Sequence, residues 1–206
     1  MNVEYRSLHH ADLREFAELF AEVFDDDAPS RFVLPDPVRR AKTLGRSYAA
    51  AARDTLAHGH AQVAVAGGHI VGGALWLPPG AYPLGAVRNL RAAFAFRGAF
   101  RTPSLLRASR EIVEAVDRVH PRAPHWYLLA LGMKADARRR GIGSRLIETG
   151  LDAADRARLG CHLETAREEN LVWYRRKGFE LTNTLDPIAG GPRYWTMWRP
   201  PMLSRR

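Results

Sequence analysis

The sequence predicts one α/β domain spanning residues 1–206, with a mixed central sheet of about six to seven strands flanked by helices. Three observations lead there. "HWYLLALGMK" and "CHLETA" are near-continuous apolar runs, the pattern of strands buried on both faces. A single long amphipathic helix separates them, so the pair is expected to be parallel with a right-handed crossover. The 206 residues are 46% apolar, enough for a sizeable core, and no linker, repeat or low-complexity tract divides them.

"NVEYRSL" alternates Val3 and Tyr5 with Glu4 and Arg6, as a half-buried strand does. Asp12 is expected to begin a helix, with Glu15 completing a capping box. Leu13, Phe16, Ala17, Phe20, Val23 and Phe24 then recur at helical spacing. "DDDAPS" ends that helix, and its aspartates read as a solvated loop rather than a metal site. Pro37 to His58 forms a second helix, rich in alanine and arginine. "HAQVAVAGG" and "HIVGGALWLPP" are two strands joined by a tight hairpin turn, and Pro78, Pro79 and Gly80 stop the second.

Residues 83–120 read as a helical insertion split at Pro103, either two solvated amphipathic helices or a lid over a substrate pocket. The long helix after "HWYLLALGMK" runs to Leu159. Ile142, Leu146, Ile147, Leu151 and Ala154 share one of its faces, and Glu148, Asp152 and Asp155 lie opposite. "EENLVWYRRKG" is a short helix ended by Gly178. "FELTNTL" and "RYWTMWR" are closing strands around an "AGGP" turn.

The net charge of +9 favours anionic partners, although arginine and alanine enrichment also follows from a GC-rich genome. The N-terminus lacks the basic patch and apolar run of a signal peptide, and glycines interrupt the most apolar stretch before it could span a membrane. A soluble, cytoplasmic protein without a membrane partner is expected. Cys161, the sole cysteine, excludes an internal disulfide and reads as a buried, inert thiol. The eight histidines show no HExxH-type spacing, so no metal is expected. His125 reads as structural.

The segment "ARRRGIGSRLIETG" carries the strongest chemical signal. A helix start exposes unpaired amide hydrogens and partial positive charge. Glycines let backbone approach a bulky anion, and arginine forks suit phosphate oxygens. A Walker loop is excluded because no lysine follows Gly143. A Rossmann fingerprint is excluded because Leu146 stands where the third glycine belongs. What remains is Arg138-x-x-Gly141-x-Gly143, after a buried strand and before an amphipathic helix.

That segment resembles the pyrophosphate-binding motif [QR]-x-x-G-x-[GA] of the GNAT N-acetyltransferase superfamily. "LLALGM" is similar to the family's fourth strand, and "LETAREENLVWYRRKGF" to its fifth strand and following helix. The similarity is strongest over residues 120–200 and weakest over 80–120. Its C-terminal part looks like the puromycin N-acetyltransferase branch. The resemblance implies a single GNAT-like domain that uses acetyl-CoA as co-substrate and no metal. Arg138, Arg139, Arg140, Gly141, Ile142, Gly143 and Ser144 would hold the diphosphate. The exposed backbone of Leu131, Gly132 and Met133, with Asn170, would hold the pantetheine arm. Tyr174 would protonate the leaving thiolate, and Glu164 would serve either as general base or as a structural or substrate-orienting carboxylate.

The implied activity is acetyl transfer to the primary amine of a small, antibiotic-like molecule by direct attack. Protein lysines or N-termini are the alternative acceptors. A cofactor-binding regulatory protein is a further rival. A nucleic-acid-binding module is the weakest, because the arginines are dispersed and no recognition motif appears, so no nucleic-acid partner is expected. The family includes monomers and homodimers, and the sequence does not choose between them.

Overall fold

A computed structural model of the chain describes residues 2–97 and 102–202. Seven strands form one sheet: β1 (Glu4–Ser7), β2 (His60–Ala66), β3 (His69–Leu77), β4 (His125–Met133), β5 (Gly160–Thr165), β6 (Glu180–Leu185) and β7 (Tyr194–Arg199). The order is β1-β2-β3-β4-β5-β7-β6. Only β4 and β5 run parallel, and the antiparallel pairs flank them on both sides. This is the expected mixed α/β sheet, and the expected crossover connects the parallel pair.

The helices are α1 (Leu13–Val23), α2 (Ala28–Val33), α3 (Pro37–His58), α4 (Ala86–Ala95), α5 (Pro103–Val119), α6 (Ile142–Ala157) and α7 (Asn170–Arg175). The sheet has a core on each face. On one face Ile142, Leu146, Ile147 and Leu151 of α6 pack on Trp76, Trp126, Leu128 and Leu163. On the other, Leu13, Phe16 and Phe20 of α1 and Ala52 of α3 pack on Val63, Ile70, Leu75 and Ala130. The alternation along each strand assigns those side chains to opposite faces.

The insertion is helical as expected, but its helices are docked. Arg88 of α4 holds Asp54 of α3 through two hydrogen bonds of 2.7 and 2.5 Å. Pro103 marks the division between the two helices, as expected. It opens α5, where its fixed φ suits the first turn and Thr102 caps the helix. Residues 98–101, inside the stretch 83–120 that the sequence predicts to be helical, lie outside the described residues.

Three local expectations need correction. Asp12 accepts the His9 amide at 2.8 Å within the 3-10 turn His10–Asp12 that leads into α1, whereas Glu15 accepts the Ile70 amide at 2.9 Å and so ties α1 to β3 instead of completing a capping box. "DDDAPS" contains the start of α2, with a proline at its first positions. Asp155 does not simply face solvent, because it receives two hydrogen bonds from Arg199, of 2.6 and 2.8 Å, on β7.

Candidate active site

β4 ends at Met133, and a short 3-10 turn at Ala135–Ala137 carries the chain to the start of α6. Ala137 is buried and anchors the turn, while Arg138, Arg139 and Arg140 are exposed. Gly141 caps α6 with φ of 79°, a left-handed conformation that glycine adopts without strain. The amides of Ile142, Gly143 and Ser144 have no acceptor among the described residues. Four such unbonded groups are the rule at a helix start. Here the surrounding side chains leave them open instead of capping them. A Cβ on Gly143 would lie 2.7 Å from Met133 Cε and 3.7 Å from Trp173, so the turn sits tightly between β4 and α7. Arg138 Nε reaches the Met133 carbonyl at 3.5 Å.

β4 and β5 separate where the turn meets them. Their parallel register runs from His125 opposite Gly160 to Leu128 opposite Leu163 and stops. Beyond it Leu131, Gly132 and Met133 pair only with β3, through Ala74, Gly73 and Gly72. Their backbone edge toward β5 is therefore open, next to the unbonded amides of α6. One contiguous line of polar backbone results, bordered by three arginines.

α7 lines this region. Asn170 opens the helix half-buried, with no hydrogen-bond partner for its side-chain amide among the described residues. One turn later Tyr174 is buried beside Trp173 and Phe179. Its hydroxyl likewise has no partner among the described residues. Burial pushes the Tyr174 hydroxyl above the usual tyrosine range, so it stays protonated.

Glu164 lies one residue past the last β4–β5 pair, in different company. His162 Nε2 is 2.9 Å from Glu164 Oε1, and His120 Nδ1 is 3.3 Å from the same oxygen. His120 Nε2 meets His125 Nε2 at 3.0 Å, and His125 Nδ1 donates to the Ala123 carbonyl at 2.7 Å. Burial alone would push the Glu164 carboxyl up, but hydrogen bonds from His120 and His162 outweigh it and hold the group at about 2. Burial pushes His125 below the usual histidine range, with the neighbouring imidazoles adding to it. His125 is held between a backbone carbonyl and His120, and so is not the lone histidine the sequence suggested. The sequence reading missed His120 entirely. Histidine spacing along the chain tests one element at a time, whereas this cluster joins β5 to the loop before β4.

The acidic segment between α1 and α2 also departs from the solvated loop expected of it. Asp25 takes two hydrogen bonds from Arg40, while Asp26 and Asp27 both pair with Arg167 just after β5. Burial pushes the Asp27 carboxyl up despite that arginine. Glu169 adds a third carboxylate 3.7 Å from Arg167, so one guanidinium faces three acids and the group is net anionic. Asp27 also acts electrostatically on Tyr48, Tyr174 and Tyr194. Tyr48 and Tyr194 line a 630 Å³ cavity walled by Val33 of α2, Leu44 of α3, Ala93 of α4 and Ile112 of α5. A second cavity of 800 Å³ is lined by Tyr82, His120, His125 and Tyr127. Cys161 is buried, and burial pushes its thiol up to about 12, which leaves it inert as expected. No described helix is long and apolar enough to cross a membrane.

Residues 105–181 match a sequence model described as an acetyltransferase (GNAT) domain. The fold is similar over 100% of both chains to a histone acetyltransferase HPA2 and related acetyltransferase from Corynebacterium glutamicum, at TM-score 0.73 and 23% identity. Arylalkylamine N-acetyltransferase 2 from Aedes aegypti aligns over 97% of this chain and 99% of its own, at TM-score 0.59 and 14% identity. PaiA N-acetyltransferase from Thermoplasma acidophilum, solved with coenzyme A, aligns over 97% and 99%, again at 0.59 and 14%. The chain therefore has the GNAT fold, in a single seven-stranded α/β sheet with flanking helices.

Proposed function

We propose that the protein is an acyltransferase that moves the acetyl group of acetyl-CoA to the primary amine of a small molecule. The observation that carries this reading is the continuous open backbone formed by the Ile142–Ser144 amides and the free edge of Leu131, Gly132 and Met133. A diphosphate fits the helix start, where amides and the dipole favour negative charge. Arg138, Arg139 and Arg140 add charge around it. The pantetheine amides then continue along the β4 edge, with Asn170 as a further side-chain partner.

The reaction is direct attack. The amine nitrogen bonds to the thioester carbonyl carbon, the carbon–sulfur bond breaks, and the nitrogen loses a proton. Tyr174 faces the leaving sulfur in this reading. A thiol titrates near pH 8.5 and an ordinary tyrosine near 10, so full proton transfer from a tyrosine raised still further is uphill by more than about 2 kcal/mol. Its stabilising contribution is therefore a hydrogen bond to the developing thiolate. Glu164, held ionised, draws the ammonium form and orients a water that carries the proton away. A carboxyl near 2 is too weak a base to be the final acceptor.

The acceptor occupies the 630 Å³ cavity between α2, α3, α4 and α5, which makes the 83–120 insertion a wall of the substrate site. Its apolar lining suits an amine with an aromatic or alkyl body, and the net-anionic group around Arg167 draws the cation. The aromatic body is compatible with the antibiotic-like acceptor that the puromycin-branch resemblance implies. The test is an amine panel with acetyl-CoA, following release of free CoA. Saturable turnover of apolar monoamines, above that of polyamines, is expected. Release of CoA only with peptide acceptors would replace this reading with protein acetylation.

A further inference from the structure

The cluster beneath β5 poses a problem in counting hydrogens. Three contacts link the Ala123 carbonyl, His125, His120 and Glu164, at 2.7, 3.0 and 3.3 Å in that order. Both ends of this chain only accept. Two neutral imidazoles between them supply two hydrogens for three contacts. The two shorter contacts are ordinary hydrogen bonds. His125 then donates from Nδ1 to Ala123, and His120 donates from Nε2 to His125. The third contact, between His120 Nδ1 and Glu164 Oε1, then takes one further positive charge: a proton on the imidazole pair, or a metal ion bound in its place.

A third donor converges on the same place. His162 Nε2 is 2.9 Å from the same Glu164 oxygen, and the ligand atoms of His120, His162 and Glu164 all lie within 4.8 Å of one another. A proton joins two atoms, whereas a metal ion joins three or more. Zinc bonds of ~2.0–2.1 Å in a tetrahedron separate neighbouring donor atoms by ~3.3 Å, close to the 3.3 Å from His120 and the 2.9 Å from His162 to Glu164 Oε1. His120 also has the outer partner that metal-bound imidazoles usually have, since its other nitrogen is fixed by His125, itself fixed by a backbone carbonyl. His162 Nδ1 is buried with no partner among the described residues, so no second contact commits its Nε2 to carrying the hydrogen. His120 and His125 line the 800 Å³ cavity, which provides an entry path and room for water as a fourth ligand.

We propose that His120, His162 and Glu164 form a three-ligand site for a borderline-soft divalent transition cation, of which zinc is the best match. Two imidazoles and a carboxylate are a zinc donor set, and an open fourth position is typical where three protein ligands bind. Spacing along the sequence does not reveal such a site because the ligands come from separate segments. A consequence rests on the proposed activity: a cation on Glu164 neutralises the carboxylate that draws the ammonium, so added zinc slows amine acetylation. The binding itself does not depend on that activity.

The test uses full-length, tag-free protein with no acetyl-CoA or amine present. Zinc is titrated calorimetrically, and cobalt is added as an optical probe of coordination. One equivalent of each is expected, with the intense visible bands of four-coordinate cobalt. Binding should fall at least tenfold in His120→Asn and in His162→Asn, and roughly tenfold in His125→Phe through loss of the outer partner. His69→Ala, at an exposed histidine paired with Glu15, should bind as the parent does. Should a variant not fold, zinc-edge X-ray absorption of the parent protein decides, with two imidazoles and one carboxylate expected. Substoichiometric uptake by the parent, unchanged binding in both asparagine variants, or a coordination shell without imidazole overturns the proposal. Because no substrate is present, none of these results bears on the acetyltransferase reading, which the amine panel tests separately.

Discussion

The turn before α6 and the histidine cluster around Glu164 flank the same parallel strand pair and treat their polar groups in opposite ways. The turn leaves the amides of Ile142, Gly143 and Ser144 open beside exposed arginines. The cluster turns its polar atoms on one another, with His120, His162 and His125 gathered about one buried carboxylate. An open donor costs little where water reaches it and becomes valuable when a ligand replaces that water. A buried charge must be matched within the fold itself. The turn should therefore govern affinity with little effect on stability, and the cluster should govern stability directly.

The largest expected effect comes from breaking the cluster. Holding the Glu164 carboxyl at about 2 rather than 4.5 corresponds to roughly 3 kcal/mol of folding stability. Because the folded-state value is depressed, this stabilisation is present above about pH 4.5 and is lost as pH falls toward 2. Glu164→Gln should therefore be less stable by about 3 kcal/mol at neutral pH and should lack that part of the acid slope. Urea melts across a pH series measure both quantities. Parallel acid slopes for the two proteins would show that the histidines do not hold this carboxylate as described.

Tyr174 lies between the two extremes, and its variant sharpens the contrast. It is buried like the cluster, yet among the described residues its hydroxyl is unbonded like the turn amides. Tyr174→Phe removes one donor and leaves the ring packed on Trp173 and Phe179. Turnover should fall roughly a hundredfold, the usual loss when a donor to developing negative charge is removed. The dissociation constant for acetyl-CoA should barely move. Pre-steady-state CoA release separates the two, and undiminished release would remove Tyr174 from the chemistry.

The same contrast explains what the sequence disclosed. The turn was legible because a helix start presents its donors from consecutive residues, so Arg138 to Ser144 form a motif in one stretch. The strands and most helices were legible through apolar periodicity, and the parallel pair through its long crossover helix. The histidine cluster was not, since His120 stands 44 residues from Glu164 and only the fold brings them together. Arg167 and Asp27 are 140 residues apart, so an acidic run that looked solvated is in fact paired with an arginine from the far side of the chain. The insertion showed helical periodicity, but amphipathic helices look alike whether they face water or wall a cavity.

Gly143 offers the smallest change and the most direct test of the turn. A valine there would place Cβ 2.7 Å from Met133 Cε and 2.9 Å from Met133 Sδ. Both atoms belong to the free end of a flexible side chain, which can swing away at modest cost to packing. Met133 lies on the open β4 edge, so the displaced side chain intrudes where the pantetheine arm would run. The valine methyl groups also crowd the amides that would hold the diphosphate. Gly143→Val should therefore weaken acetyl-CoA binding about tenfold, equivalent to ~1.4 kcal/mol. The accompanying loss of folding stability should be smaller than that. Calorimetric titration with acetyl-CoA, set beside thermal melts of the same samples, compares the two effects. Normal cofactor affinity with a lowered Tm would mean that the turn serves packing rather than ligand binding, and the contrast between the two regions would fail at its simpler end.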